Sequence, residues 1–352
     1  MTHEDLQIDG PALIVPNHGC AWDPLLVAMS LRDQHAYFVA SEHLFRLGPV
    51  SRIIESLVAP IPRRKASTGT DTVKACLRHL RSGHSVCLFA EGEQCWDGRN
   101  IPIFPATGKL ARSSGATLVT YRLEGNYLSI PRWGKGIRRG KVRGYPVGIY
   151  PPEVLRTMSA AEIEALINRD IHENAWDRQR ENPVAFLGRN RAKGMERALY
   201  LCPRCRKIDS LQTERNRVFC SCGLDLTYTE TGFFEPPQPF ETIADWEDWQ
   251  KKELAQRSFL PAGADGLLFS DPDVSLSLVK SGHEETPLGQ GSLCQYEDRL
   301  ICAGHSFPLR EISNMADVLA SRLLLTVQGD YYEIRTKKAA NLRKYLEIWR
   351  NR

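Results

Sequence analysis

Short apolar runs alternate with amphipathic stretches over the first half of the chain, and further on the period changes to two. Pro11–Val15 is an apolar run closed by Pro16, the pattern of a buried strand. Asp23-Pro24 follows with the chemistry of a helix start, Asp as cap and Pro at the first helical position. The pattern predicts that Leu25, Leu26 and Met29 form the buried side of that helix. Asp71 opens a second helix in which Val73, Cys76, Leu77 and Leu80 recur at i, i+3, i+4 and i+7, with Gly83 at its C-terminal cap. Ser85–Phe89 reads as a strand ending in Glu91-Gly92. Thr107–Ser114 reads as a helix closed by Gly115, and Thr117–Leu123 as the next strand. Ser159-Ala160-Ala161-Glu162 has the form of a capping box, opening a helix with Ile163, Leu166, Ile167 and Ile171 on one face. This alternation, over residues 1–195, predicts an α/β domain.

Residues 196–234 form a second, short unit with four cysteines. A Pro-rich link, Glu235-Pro236-Pro237-Gln238-Pro239-Phe240, marks its end. In residues 241–352, Val274–Leu278 alternates as a half-exposed strand does. Leu293–Tyr296 with Leu300–Ala303, and Arg322–Val327 with Tyr331–Arg335, read as hairpins. Leu342, Tyr345, Leu346 and Trp349 share one face of a closing helix. Several antiparallel strands and one terminal helix suggest a mainly-β, pleckstrin-homology-like domain. Trp246 and Trp249 are expected to pack this unit, which could bind a lipid headgroup or a partner, or only brace the chain.

Composition narrows the class. With 42% hydrophobic and 25% charged residues and a formal charge of +4 over 352 residues, the chain is globular rather than disordered. A pI near 8.5 is low for a protein held to DNA by phosphate neutralisation, so no nucleic acid partner is expected. No run approaches the roughly 18–20 apolar residues that span a bilayer. Thr2-His3-Glu4-Asp5 is acidic where a signal peptide would be basic, so the expectation is a cytoplasmic chain with reduced thiols. Its ten cysteines are then ligands, nucleophiles or core residues before they are disulfides. Cys76, Cys87, Cys95, Cys294 and Cys302 fall in apolar patterns and are expected in the core.

The segment Asn17-His18-Gly19-Cys20-Ala21-Trp22-Asp23 follows a strand and runs into a helix start, so His18 and Asp23 can meet across a tight turn. A carboxylate on one imidazole nitrogen fixes the tautomer and leaves the other nitrogen free to take a proton. The same spacing also suits a capping Asp beside a surface His. The segment resembles the His-x4-Asp motif of the glycerolipid acyltransferases, the 1-acylglycerol-3-phosphate acyltransferase family. Further blocks follow in the family's order: Ala59-Pro60-Ile61-Pro62-Arg63, Phe89-Ala90-Glu91-Gly92, Phe104 through Gly108-Lys109, and Leu118-Val119-Thr120. The resemblance covers roughly residues 10–145. It implies a mixed sheet flanked by helices and acyl transfer from a thioester donor, acyl-CoA or acyl carrier protein, to the hydroxyl of a lysophospholipid. His18 would be the general base and Asp23 its orienting partner. Cys20, at a variable position of the motif, is read as a packing residue. The resemblance implies acceptor contacts from Arg63, Glu91 and Gly92. Where the family has Thr-Arg-Ser, this chain has Glu93-Gln94-Cys95, and an amide cannot give the charge-assisted fork of Arg. Arg64, Arg99 or Lys109 is expected to substitute, or the acceptor carries no phosphate. A degenerate, purely binding protein on the same fold is the competing class.

Cys202-Pro203-Arg204-Cys205 and Cys220-Ser221-Cys222-Gly223 are two cysteine pairs whose spacing suits knuckles joined by a hairpin. Four thiolates predict a closed, structural zinc site, with iron or unliganded thiols as the alternatives. Arg132, Lys135, Arg138, Arg139, Lys141 and Arg143 crowd one segment with Trp133 and Tyr145. Arg132, Trp133, Lys135, Arg138 and Arg139 are expected to contact an anionic membrane surface, making the protein peripherally membrane-associated. The same charges could steer the phosphates of acyl-CoA.

Overall fold

The computed structural model describes residues 2–32, 34–42, 59–63, 69–256, 266–280, 284–318, 321–337 and 341–352. The chain divides into two compact units. Of the described residues, the first holds those up to Arg63 with Gly69–Arg191 and Thr229–Phe233, and the second holds those from Ala192 to Tyr228 and from Phe234 to Arg352.

In the first unit the strands are β1 (Thr2–His3), β2 (Ala12–Pro16), β3 (Ala36–Ser41), β4 (Ile61–Arg63), β5 (Ser85–Cys87), β6 (Thr117–Glu124) and β7 (Arg143–Tyr150). Among the described residues they form one sheet in the order β1-β7-β6-β2-β5-β3-β4. The run from β6 to β4 is parallel, and β7 is antiparallel to β6. The sheet is therefore mixed, as the resemblance implies. β2 lies near its middle with all five residues buried, as a strand covered on both faces must be.

The helices of this unit are α1 (Asp23–Ser30), α2 (Thr70–Arg81), α3 (Ala106–Ser114), α4 (Asn126–Ser129), α5 (Pro152–Thr157), α6 (Ala160–Asp170) and α7 (Ala175–Glu181). On one sheet face, Leu13, Val15 and Leu118 pack with Cys76 and Leu80 of α2, Leu110 of α3, and Ile163 and Ile167 of α6. Gly108 lets α3 approach α6, since a Cβ there would meet the Ala160 carbonyl oxygen at 2.1 Å. The predicted capping box is present in both directions, Ser159 N–H to Glu162 Oε2 at 2.7 Å and Glu162 N–H to Ser159 Oγ at 3.2 Å. On the other face, Ala12, Ile14, Val119 and Tyr121 pack with Val27 of α1 and with Leu6 and Ile8.

Helix α1 corrects the expectation about its buried side for Leu25 and Met29, while Leu26 packs against the core as expected. Leu25 and Met29 are 61% and 51% exposed, and Trp22 is 48% exposed, while Asp23, Val27 and Ser30 face inward. The rotation is set by polar contacts. Asp23 is held by the His18 turn, and Ser30 Oγ lies 2.5 Å from Tyr121 Oη. Anchors at i and i+7 fix the helix phase, which keeps Val27 inside and carries Leu25 and Met29 outward.

The second unit opens with β8 (Leu211–Glu214), β9 (Arg217–Cys220), β10 (Asp225–Tyr228) and β11 (Phe234–Glu235), antiparallel neighbours in the order β11-β10-β9-β8. After α8 (Ile243–Gln256) come β12 (Leu267–Val279), β13 (Glu285–Tyr296), β14 (Arg299–Cys302), β15 (His305–Pro308), β16 (Ile312–Val318), β17 (Arg322–Val327) and β18 (Asp330–Thr336), then α9 (Arg343–Arg350). Two antiparallel meanders, β12–β15 and β16–β18, join through the β12–β18 pair. Both predicted hairpins are present, with Leu293 opposite Cys302 and Leu325 opposite Tyr332. Tyr200 and Leu201, just before the first cysteine pair, share a core with Leu276, Leu293, Leu323, Tyr345 and Leu346. Trp246 is fully buried and donates its indole N–H to the Leu201 carbonyl at 2.9 Å, and Trp249 packs at the rim of that core. Buried ions complete the packing. Arg343 forks onto Glu247, and the fully buried Lys344 meets Asp209 and Asp271.

Candidate active site and metal centre

The His18 turn is built at the exit of β2. Asn17 extends that strand with its side chain: Nδ2 donates to the Leu123 carbonyl at 2.9 Å, and Oδ1 accepts the Leu123 N–H at 2.7 Å. The end of β6 is thereby tied to the residue beside His18. The chain then bends back, and His18 Nδ1 comes to 2.9 Å from Asp23 Oδ2. The same oxygen accepts the N–H groups of Gly19 at 2.7 Å and Cys20 at 2.9 Å. Oδ1 accepts the Cys20 thiol at 3.0 Å and Asn126 Nδ2 at 2.9 Å. Asp23 is fully buried, whereas 16% of the His18 side chain stays exposed. Asp23 is thus no helix cap: α1 starts without a side-chain cap, and the carboxylate closes the turn behind it. Burial first, and the Asp23 charge second, push the Cys20 thiol far up, which favours its neutral form.

Glu91 supports this turn from the third block. It accepts the His18 N–H on Oε1 at 2.8 Å and the Ile101 N–H on Oε2 at 2.7 Å. Both oxygens are engaged inside the protein and the residue is 3% exposed, so Glu91 joins two loops. Burial pushes its carboxyl up to about 8, against the pull of the two amide donors. The His18 ring lies over Phe89, with centroids 4.3 Å apart.

Arg63 and Gly92 are also brought together. The Arg63 guanidinium lies over the Phe104 ring, 4.5 Å from its centroid, and burial lowers its pKa. Gly92 has φ +80°, and a Cβ there would come 2.2 Å from the Phe104 ring and 3.0 Å from Arg63 Nη1. Only glycine fits this place. Arg64 falls outside the described residues. Lys109 is exposed on α3, and Arg99 bonds Asp97 within its own loop, Nε to Oδ2 at 3.0 Å. A guanidinium does reach the Glu93-Gln94 stretch, but it comes from Arg132, which donates to Glu93 Oε2 at 2.8 Å and to the Gln94 carbonyl at 3.1 Å. It also stacks on Trp96 at 4.2 Å.

The expected membrane-facing segment is therefore corrected in part. Trp133 is fully buried, with its indole N–H on Tyr127 Oη at 3.0 Å and the Arg138 guanidinium 4.8 Å from its ring centroid. Arg138 is 4% exposed and donates to the Leu128 and Arg191 carbonyls. The segment folds back on itself, Arg138 N–H reaching the Ser129 carbonyl at 2.9 Å, so alternate charges turn inward. Lys135, Arg139 and Lys141 remain exposed around Ile137, which is 55% exposed. A cavity of about 250 Å³ in this unit, lined by Glu124, Gly125, Lys141, Glu173 and Arg178 among others, contains neither His18 nor Asp23. Arg178 pairs there with both glutamates.

Sequence reasoning missed Asn17 as a clamp, Asn126 as a partner of Asp23, and the inward turn of Glu91. The first had a faint signal, a polar residue ending a buried strand. Asn126 had none, since it lies more than a hundred residues from Asp23.

In the second unit the four cysteines converge. Their sulfurs all lie within 4.8 Å of one another, with Cys202 and Cys222 at 3.6 Å and Cys205 and Cys220 at 3.8 Å. A tetrahedron with Zn–S arms of about 2.3 Å has edges of about 3.8 Å, so the donor set fits zinc. Each pair is followed by a residue with positive φ, Arg206 at +58° and Gly223 at +92°, which turns the chain back as a knuckle requires. Burial raises the Cys202 thiol. At Cys220, hydrogen bonding with the Cys222 backbone, Ser210 and the neighbouring thiols outweighs burial and lowers it.

Residues 1–124 match the family described as Acyltransferase. Among curated proteins, a chloroplastic 1-acyl-sn-glycerol-3-phosphate acyltransferase of Brassica napus is 27% identical over 137 residues, 38% of this chain and 39% of that protein. A chloroplastic enzyme of the same description from Arabidopsis thaliana is 28% identical over 137 residues, 38% of each chain. The chain thus spans about two fifths of the length of these relatives. Among solved structures, the 1-acyl-sn-glycerophosphate acyltransferase of Thermotoga maritima aligns over 48% of this chain and 70% of that one, with a TM-score of 0.41 and 18% identity. The resemblance to the glycerolipid acyltransferases is borne out by the family match and the curated relatives.

Proposed function

We propose that the acyltransferase-family domain in the first unit is an active one, moving a fatty acyl group from a thioester, acyl-CoA or acyl carrier protein, to the hydroxyl of a lysophospholipid such as 1-acylglycerol-3-phosphate. The observation that carries this reading is the contact of His18 Nδ1 with Asp23 Oδ2 at 2.9 Å. Asp23 occupies Nδ1, which leaves Nε2 to take the proton of an acceptor hydroxyl. The acceptor oxygen forms the new C–O bond at the thioester carbonyl, the C–S bond breaks, and His18 returns the proton to the leaving thiolate. No acyl-enzyme is needed, in keeping with a Cys20 thiol held neutral.

Arg63 beside Gly92 is the cation we assign to the acceptor's polar head. Gln94, with Glu93 paired to Arg132, favours a second reading on the same chemistry, an acceptor that carries no phosphate monoester. The alternative of a catalytically degenerate binding protein is opposed by the intact His18–Asp23 geometry. We assign structural zinc to Cys202, Cys205, Cys220 and Cys222. When bound, the metal would hold four thiolates and cross-link the two knuckles. We read the C-terminal sheet with α9 as pleckstrin-homology-like, on the strength of its antiparallel meanders closed by a terminal helix.

No helix among the described residues is long and apolar enough to cross a membrane. We propose peripheral contact with an anionic lipid surface through Lys135, Ile137 and Arg139, aided by the uncharged outer stripe of α1, Trp22, Leu25 and Met29. The deciding experiment is an acyl-transfer assay over a panel of lysophospholipid and neutral acceptors with CoA and carrier-protein donors. Acceptor-dependent release of free thiol is the expected result. No transfer to any acceptor by folded, metal-loaded protein would overturn the reading.

A further inference from the structure

We propose that Asn126 is a positioning residue for His18, acting through Asp23. The inference rests on the catalytic reading of that pair, and the geometry behind it is independent of the family motifs. Asp23 has its two oxygens divided between tasks. Oδ2 takes His18 and the two amides of its own turn, and Oδ1 takes the Cys20 thiol and Asn126 Nδ2. A thiol is a weak donor, so Asn126 is the one strong donor on Oδ1 among the described residues. A carboxylate fixed by donors on both oxygens resists rotation, so its Oδ2 stays on His18 Nδ1.

Three features of the fold serve this contact. Asn126 is 2% exposed and opens the short helix α4. It is preceded by Gly125 at φ +73°, where a Cβ would come 2.3 Å from the Lys141 carbonyl oxygen. On the opposite side, a Cβ at Gly19 would come 2.6 Å from Asn126 Nδ2, so the glycine between His18 and Cys20 makes room for the amide. The clamp from Asn17 to Leu123 sets the end of β6, from which Asn126 follows. A turn glycine, a motif glycine and a strand clamp converge on one hydrogen bond. Asn126 touches no reacting atom: it holds the carboxylate, which holds the imidazole.

The test uses Asn126→Leu, which keeps the volume and loses the donor, and Asn126→Ser, smaller and still a donor. For Asn126→Leu, kcat is expected to fall roughly 10- to 100-fold with KM for the acceptor within about twofold, and Asn126→Ser to lose less. In an Asp23→Asn background the same change is expected to cost little, because the route to His18 is already broken. A kcat within twofold of wild type, or an equal loss in both backgrounds, overturns the proposal. Nitrogen-15 spectra of the imidazoles supply a readout that needs no turnover. His18 is expected to hold its proton on Nδ1 in wild type and to lose that fixed tautomer in Asn126→Leu. If wild-type protein transfers no acyl group, the catalytic reading fails on its own, and the spectra alone decide: an unchanged His18 signal in the variant overturns the role of Asn126.

Discussion

Two buried glutamates, one in each unit, are held in opposite ways. Glu91 lies under the His18 turn, accepts two backbone amides, and is pushed up to about 8 chiefly by burial. Glu247 on α8 is buried as deeply, but Arg343 and Lys251 overcome the burial and hold it down at about 2. In the site of the first unit, Asp23 and Glu91 accept from backbone amides, an asparagine, a thiol and an imidazole. In the second unit the buried Glu247 meets Arg343, and the buried Lys344 meets the exposed Asp209 and the half-buried Asp271. A carboxylate held by dipoles alone stays responsive to a neighbouring proton, which suits acid–base work. One locked to a guanidinium only braces the fold.

The four-cysteine cluster lies in the same unit, and the zinc proposed for it would be a further cation there. The largest effect is expected at this proposed zinc site. Chelation, or Cys202→Ser with Cys205→Ser, should release one zinc per chain and unfold the region around β8–β11. Structural zinc sites are worth on the order of 10 kcal/mol, and metal analysis with amide exchange checks the outcome. Wild-type protein without zinc or iron would break the comparison on that side. On the other side, His18→Ala should lower acyl transfer roughly 10³-fold while far-UV dichroism and melting stay as in wild type. Retained activity would refute the assigned base.

Next in size is Glu247→Ala, which leaves Arg343 buried and unpaired and should destabilise the second unit by about 3–5 kcal/mol in denaturant melts. The pH dependence separates the two glutamates by sign. The contribution of Glu91, whose folded pKa is raised from 4.5, is fully present below pH 4.5 and lost as the pH rises toward 8. That of Glu247, lowered from 4.5, is present above pH 4.5 and lost as the pH falls toward 2. Melts of Glu91→Gln from pH 5 to 8 should lack the wild-type downward slope, and equal slopes would show that Glu91 does not titrate there. The smallest effect is at the lipid surface. Lys135→Glu and Arg139→Glu should each weaken binding to anionic vesicles by about 1 kcal/mol in a salt-dependent way, whereas Trp133→Phe should leave vesicle binding unchanged.

The elements themselves were largely legible. The Ser159–Glu162 box, Gly115 at +71° after α3, and both C-terminal hairpins stand where local chemistry predicts them. The phase of α1 was not legible, because Ser30 and Tyr121, ninety-one residues apart, help to set it. Nor was the inward turn of Trp133 and Arg138. A run of charges reads as a solvated face, and only the return of the chain onto Ser129 tells which side chains are enclosed.

What the sequence determined by itself is what short spacing controls: a histidine and an aspartate five residues apart across a turn, paired cysteines three and two residues apart, and the periods of strand and helix. Such features are fixed by local geometry, and each was readable from neighbours along the chain. Tertiary structure alone decided which polar groups serve that pair. Asn17, Glu91 and Asn126 reach the turn from strand ends and loops that meet only when the sheet closes, and Arg132 arrives at Gln94 in the same way. Burial then sets their electrostatics. The strength of a hydrogen bond or a charge depends on the water excluded around it, a property of the packed sheet and not of any one stretch of sequence.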